Sequence, residues 1–131
     1  MIVLDTHVWV WWVSGFEPLS LRAQRLIGQA VKQKAVYLSS ISVWEVAQLV
    51  ARERLQLSMA VADWVAKSEA LPFVHFIPVD NAIALKSVQL PRPLHPDPAD
   101  RIIIATALTL GFPLVTRDEK ITHYPHVRTI W

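Results

Sequence analysis

Four acidic residues carry the chemistry open to this chain: Asp5, Glu45, Asp100 and Asp118. Each has an ordinary structural use. Asp5 can cap the segment that follows it. Glu45 stands three residues after Ser42, the pattern of a capping box. Asp97-Pro98-Ala99-Asp100 reads as a helix N-cap, a proline at the first helical position and an acid at the third. Asp118, after Thr116-Arg117, suits a turn. Taken together they point elsewhere. Carboxylates gathered in one crevice repel one another, and at neutral pH some must take up protons. A hard divalent cation removes that conflict. With only oxygen ligands and no cysteine in the chain, the ion expected is Mg²⁺ or Mn²⁺ rather than Zn²⁺. Such a site can deprotonate a water and hold a phosphodiester oxygen for in-line attack.

The elements around these acids decide whether they can meet. Residues 1–4 form a short apolar run ending at Asp5, as a buried strand would. Residues 6–13 are ambiguous: their β-branched and Trp content favours strand, their place after Asp5-Thr6 a helix start. Residues 14–18 read as a turn. Ser20 is expected to cap a helix to about residue 34, with Leu26, Ala30 and Val31 inward. Residues 36–38 read as a strand, and 42–54 as a helix whose Val43, Val46, Ala47 and Val50 share one face. Ser58 is a candidate cap for a helix to about residue 70. A strand over 74–79 and a short helix over 81–88 follow, then a Pro-rich loop over 90–98 that is no domain linker. Residues 99–110 are apolar nearly all round, so this helix should be central, with Gly111 ending it. Strands are expected over 113–116 and, at the end, over 127–131.

Short apolar strands alternating with helices imply an α/β fold, its mostly parallel sheet covered on both faces. In such folds ligands sit beyond the carboxyl ends of the strands. Asp5 and Asp118 would end strands there, and Glu45 and Asp100 would begin helices leaving that same edge. All four acids can reach one crevice.

Composition narrows the class. The 131 residues suit one domain over residues 1–131. Apolar residues make up 53% of the chain, more than so small a fold hides easily, so a partner surface is expected. A net charge of +2 permits nucleic-acid binding without arguing for it. His7, His75, His95, His123 and His126 show no zinc spacing. No targeting segment is visible, and the longest apolar stretch, 102–115, is too short to span a bilayer. A soluble, cytoplasmic protein is expected. Arg52, Arg54, Arg101, Arg117 and Lys120 are candidates for the pocket rim and for phosphate contacts, with Arg101 the best placed of them to pair with an acid. Trp9, Trp11, Trp12 and Trp44 are expected in the core or a dimer contact rather than stacked on bases.

Three stretches then become recognisable in order: Val3-Leu4-Asp5-Thr6-His7, Ser40-Ile41-Ser42-Val43-Trp44-Glu45, and His95-Pro96-Asp97-Pro98-Ala99-Asp100-Arg101 running on to Leu114-Val115-Thr116-Arg117-Asp118. Each alone is weak, but the ordered set, covering essentially the whole chain, resembles the PIN-domain ribonucleases, in particular the VapC-type toxins of VapBC toxin–antitoxin pairs. The resemblance implies a three-layer α/β/α sandwich with a parallel sheet of four or five strands. It implies an Mg²⁺- or Mn²⁺-dependent endoribonuclease with RNA as substrate. By position, Asp5, Glu45 and Asp100 match the main acidic triad, Asp118 the fourth and more variable acid, and Thr116 the hydroxyl position beside the pocket. Arg101 and Arg117 are candidate pocket residues, and Asp97 is assigned to capping. The family's homodimers and small inhibitory antitoxins imply both kinds of partner here. Ala99 stands where an aromatic is frequent, a change bearing on packing more than chemistry.

Two other enzyme classes fit less well. A haloacid-dehalogenase-type phosphatase needs a second Asp two residues after the first, where this chain has His7. A phosphoacceptor receiver domain needs a mid-chain Asp and a later lysine that are not evident. A nonenzymatic RNA- or protein-binding module that retains the fold is the alternative from a different class, and the presence of all four acids argues against it.

Overall fold

A computed structural model describes residues 1–15, 18–93 and 96–131. Parts of the turn expected over 14–18 and of the loop expected over 90–98, including Phe16, Glu17, Leu94 and His95, lie outside the described residues. Among those described, five strands form one sheet and seven helices flank it. In chain order they are β1 (Ile2–Leu4), α1 (Thr6–Val13), α2 (Leu21–Lys32), β2 (Val36–Ser39), α3 (Ile41–Ala51), α4 (Val61–Glu69), β3 (Val74–Ile77), α5 (Asn81–Gln89), α6 (Pro98–Leu110), β4 (Leu114–Val115), α7 (Glu119–Thr122) and β5 (Thr129–Ile130). The sheet order is β3-β2-β1-β4-β5, and every pairing is parallel.

The sheet separates two cores by the alternation of its side chains. Ile2 and Leu4, Val36 and Leu38, and Val115 and Ile130 join Trp9, Ile27 and Trp64 on one face. Val3 and Leu114 join Ile103, Ile104, Ala107 and Ile121 on the other, with Tyr37 packed against them. This is the α/β/α sandwich expected, with all five strands parallel. No described helix is long and apolar enough to cross a membrane.

Local signals explain most element ends. Ser20 accepts from the Ala23 N–H and starts α2. That helix stops at Lys32, because Lys34 turns the chain through a left-handed conformation (φ 55°). Residues 6–13 are helical: Asp5 accepts from the Thr6 N–H, and Val8 and Trp9 enter the core. The strand expected over 74–79 ends at Ile77, immediately before Pro78. Asp97 accepts from the N–H groups of Ala99 and Asp100 and sets Pro98 at the start of α6.

Two expected caps are corrected. α3 begins at Ile41, whose N–H is met by the Ser39 hydroxyl, so Ser42 lies inside the first turn and is buried, not capping. α4 begins at Val61 with Ala60 at its cap, not Ser58. Leu55, Leu57 and Met59 pack on the core at every second residue, a period incompatible with a helix there. The short α7, capped by Asp118, was not expected.

Gly111 closes α6 in the left-handed region at φ 73°, and its N–H bonds back to Ala107. A Cβ there would meet nothing within 4 Å. Gly111→Ala should therefore cost only backbone strain, about 1–2 kcal/mol, seen as a lower urea midpoint with unchanged slope. An unchanged midpoint would refute this account of the helix end.

The acidic crevice at the switch point

Strand order runs one way from β1 to β2 and β3, and the other way to β4 and β5. The chain thus parts at the carboxyl ends of β1 and β4, where open α/β sheets leave a crevice. Asp5, His7, Val8, Trp11, Glu45, Asp97, Asp100, Arg117, Asp118 and Lys120 line it. All four candidate acids are among them, with Asp97 as a fifth.

Asp5 is the most enclosed, at 6% exposure. Its Oδ1 accepts from the Thr6 N–H at 2.8 Å, and its Oδ2 from the Thr116 hydroxyl at 2.7 Å. Thr116 in turn accepts from the Asp118 N–H at 3.1 Å, so one hydroxyl ties the two strand-end acids together. Burial raises the proton affinity of Asp5, and nearby Asp118 adds to that. The Thr116 hydroxyl, the Thr6 N–H and His7 oppose it.

Glu45 reaches the crevice from the second turn of α3. The Thr6 hydroxyl donates to its Oε1 at 2.5 Å and shares a 2.8 Å hydrogen bond with the Ser42 hydroxyl. Thr6 has one proton; when it goes to an ionised Glu45, Ser42 supplies the other bond. Burial pushes the Glu45 pKa up to about 7, and the charges of Asp100, Asp5 and Asp97 push the same way against the Thr6 hydrogen bond. Thr6 and Ser42 are the site residues that sequence reasoning missed. The available signal was a hydroxyl directly after the strand-end acid and another on the same helix face as Glu45.

Of the cationic candidates, Arg117 and Lys120 line the crevice. Arg52 and Arg54 line a neighbouring groove. Arg101 is not among the crevice residues. Its charge acts on Tyr124, whose hydroxyl burial pushes up and Arg101 draws back down. Trp9 is buried and donates from its indole N–H to the Ser68 hydroxyl, whereas Trp44 is 55% exposed and not in the core.

The donor set suits a hard divalent cation: its anionic groups are all carboxylates, crowded enough to hold a proton near neutrality. Among the described residues, no three acidic or imidazole groups already stand together as ligands. That arrangement is compatible with Mg²⁺, which keeps several waters and takes only one or two carboxylates directly.

The PIN domain family model matches residues 2–127. The chain is 34% identical over 132 residues to Ribonuclease VapC22 of Mycobacterium tuberculosis, covering 99% of this chain and 98% of that one. Among solved structures it resembles FitAcB from Neisseria gonorrhoeae, with TM-score 0.71 and 25% identity over 100% of this chain and 97% of that one. It also resembles VapBC2 from Rickettsia felis bound to a promoter DNA fragment, with TM-score 0.73 and 15% identity over 99% and 98% of the two chains.

Raised carboxylate pKa values make the folded, metal-free protein bind more protons than the unfolded chain. Their contribution to stability is full below the ordinary carboxylate value, 4.5 for Glu45, and is lost as pH rises through about 7. Metal-free protein should therefore melt at progressively lower temperature across that window, and Glu45→Gln should flatten the profile. A wild-type profile that is flat or rises there contradicts the crowding argument.

Proposed function

The chain belongs to the PIN-domain family, and from that premise we propose that it is a divalent-metal-dependent endoribonuclease, the toxin of a toxin–antitoxin pair. The observation that carries the reading is the convergence of Asp5, Glu45, Asp100 and Asp118 on one crevice at the switch point of the sheet. The similarity to a ribonuclease along nearly its full length supports the activity, and the likeness to VapBC complexes supports an antitoxin partner.

In this reading Asp5, Glu45, Asp100 and Asp118 would hold Mg²⁺ or Mn²⁺, one or two of them directly and the others through its waters. The bound ion would lower the pKa of a water and polarise the phosphodiester. The protein's own part is positioning and charge. Both oxygens of Asp5 are engaged by Thr6 and Thr116, so the carboxylate is oriented before any ligand arrives. The Thr6 hydroxyl does the same for one oxygen of Glu45. Asp97 fixes the first turn of α6, and with it the backbone of Asp100. Arg117 and Lys120 bring positive charge to the crevice for the phosphates flanking the cut, and binding should weaken with salt accordingly.

The proposed partners are the RNA substrate, a small antitoxin and a second copy of the chain, and the proposed compartment is the cytoplasm. Leu85 and Val88 on α5, 62% and 77% exposed, leave apolar surface for the protein contacts. Residues 1–131 constitute one domain in this proposal.

The test is cleavage of a panel of structured RNAs by purified protein with Mg²⁺ or Mn²⁺ and with chelator. Asp5→Asn and Asp100→Asn, purified identically, should fall to the level of the chelated control while circular dichroism stays native. Asparagine still caps a helix, so loss of activity in Asp5→Asn is separable from loss of fold. Cleavage at the wild-type rate by either variant would remove these acids from the site. In a separate positioning test, Thr116→Val should lower kcat by about ten-fold or more, a loss of the size expected when a ligand's outer hydrogen bond is removed. Thr116→Ser should restore most of the rate. Equal rates in the Val and Ser variants would exclude the hydroxyl's role in orienting Asp5.

A further inference from the structure

Beside the acidic crevice runs a second cavity of about 400 Å³, within the size range of small-ligand sites. Ile41, Trp44, Glu45, Gln48, Leu49 and Arg52 line one side of it. Their spacing of three and four residues makes them one continuous face of α3 that ends at its C-cap, Arg52, distinct from the face that puts Val46 into the core. Pro98, Ala99 and Ile102 of α6 form the opposite wall. Glu45 and Asp97 belong to both this groove and the crevice, so the two are continuous. Arg52 and Arg54 also line it. Seven residues of helix, about 10 Å, separate Glu45 from Arg52 along α3.

We propose that this groove receives an unpaired base of the RNA strand next to the scissile phosphate, stacked on Trp44, with Arg52 and Arg54 taking the phosphates beyond it. The inference rests on the ribonuclease reading and adds where the substrate lies. The gradient along the groove matches one nucleotide strand. Along α3 the indole of Trp44 stands beside the carboxylate of Glu45 at one end, Gln48 and Leu49 follow, and the guanidiniums of Arg52 and Arg54 close the other end. A base has a π face for the indole and polar edges for the amide of Gln48, which can both donate and accept. An exposed indole stacks on any base. The Gln48 amide and the walls of Leu49 and Ile102 then set which base fits, so base preference at the cut originates here.

The test uses full-length protein carrying Asp5→Asn, so that bound RNA survives. The probes are labelled single-stranded RNA dodecamers of each of the four homopolymers and an abasic ribose-phosphate dodecamer, followed by anisotropy at several salt concentrations. Adding Trp44→Ala should weaken binding of at least one homopolymer by about ten-fold and leave the abasic strand's affinity unchanged. Trp44→Phe should restore binding to within about three-fold. Arg52→Gln and Arg54→Gln should each reduce the slope of log affinity against log salt by roughly 0.7. Equal affinities in Trp44→Ala and its parent overturn the proposal, as does equal loss on the abasic strand. So does a smaller sedimenting species in Trp44→Ala with RNA affinity unchanged, which would assign the groove to a second copy. Wild-type cleavage assayed in parallel separates the two readings. No metal-dependent cleavage defeats the ribonuclease assignment itself. Cleavage whose KM is the same in wild type and Trp44→Ala leaves that assignment standing and defeats only the base pocket.

Discussion

The structure is organised around a repulsion. Five carboxylates line one crevice, and burial strips water from two of them, Asp5 and Glu45, that would rather keep it. Much of the surrounding fold supplies what water would have supplied. Asp5, Asp97 and Asp118 each cap a helix and accept from its first N–H groups, so the positive ends of α1, α6 and α7 face the acids. Hydroxyls of Thr6 and Thr116 complete the set. These dipoles offset part of the repulsion but leave Glu45 holding its proton near neutrality. In the proposed reading a divalent cation would relieve the charge that these dipoles leave.

The same groups join distant segments. Thr116 bridges β4 to β1, and Thr6 bridges the start of α1 to α3 through Ser42 and Glu45. Capping and site-building are therefore not competing explanations for Asp5 and Asp118. Each carboxylate satisfies a helix end with one oxygen, and Asp5 meets Thr116 with the other. For Glu45 the capping explanation fails outright, because Ser42 lies past the helix start and faces Thr6.

Much of this was legible in the chain, and the failures have identifiable causes. Strand-end acids were readable because a buried parallel strand has few residue types available, and an Asp after Ile-Val-Leu marks its end. Asp97-Pro98 and Gly111 were readable because proline and left-handed glycine have narrow uses. Residues 6–13 were not decidable from propensity: Val and Trp prefer strands, but the Asp5 cap and the burial of Val8 and Trp9 outweigh that preference. Ser42 and Ser58 misled because a serine ahead of an apolar period looks alike as a cap and as a buried or loop residue. Only the neighbouring chain, Ser39 in one case and Leu57 with Met59 in the other, decides. The size of Trp44 suits a core or a dimer contact, and its position on α3 takes it out of the core and to the groove. Periodicity identifies a helix's apolar faces without saying which of them the rest of the molecule covers.

The central strand has a further consequence. β1 is paired on both sides, with β2 and with β4, and Asp5 is completed by a hydroxyl 111 residues further along. During synthesis, β1 emerges before the other strands of the sheet, and its second neighbour, β4, follows only after β2 and β3. Until residue 116 leaves the ribosome, Asp5 lacks its Thr116 partner and the crevice lacks the wall bearing Arg117, Asp118 and Lys120. A nascent or truncated copy thus carries three of the four acids but no finished site. Long-range closure of this kind slows folding. Under the proposed function, that order of assembly would leave an interval in which a partner could meet the chain before the crevice is complete.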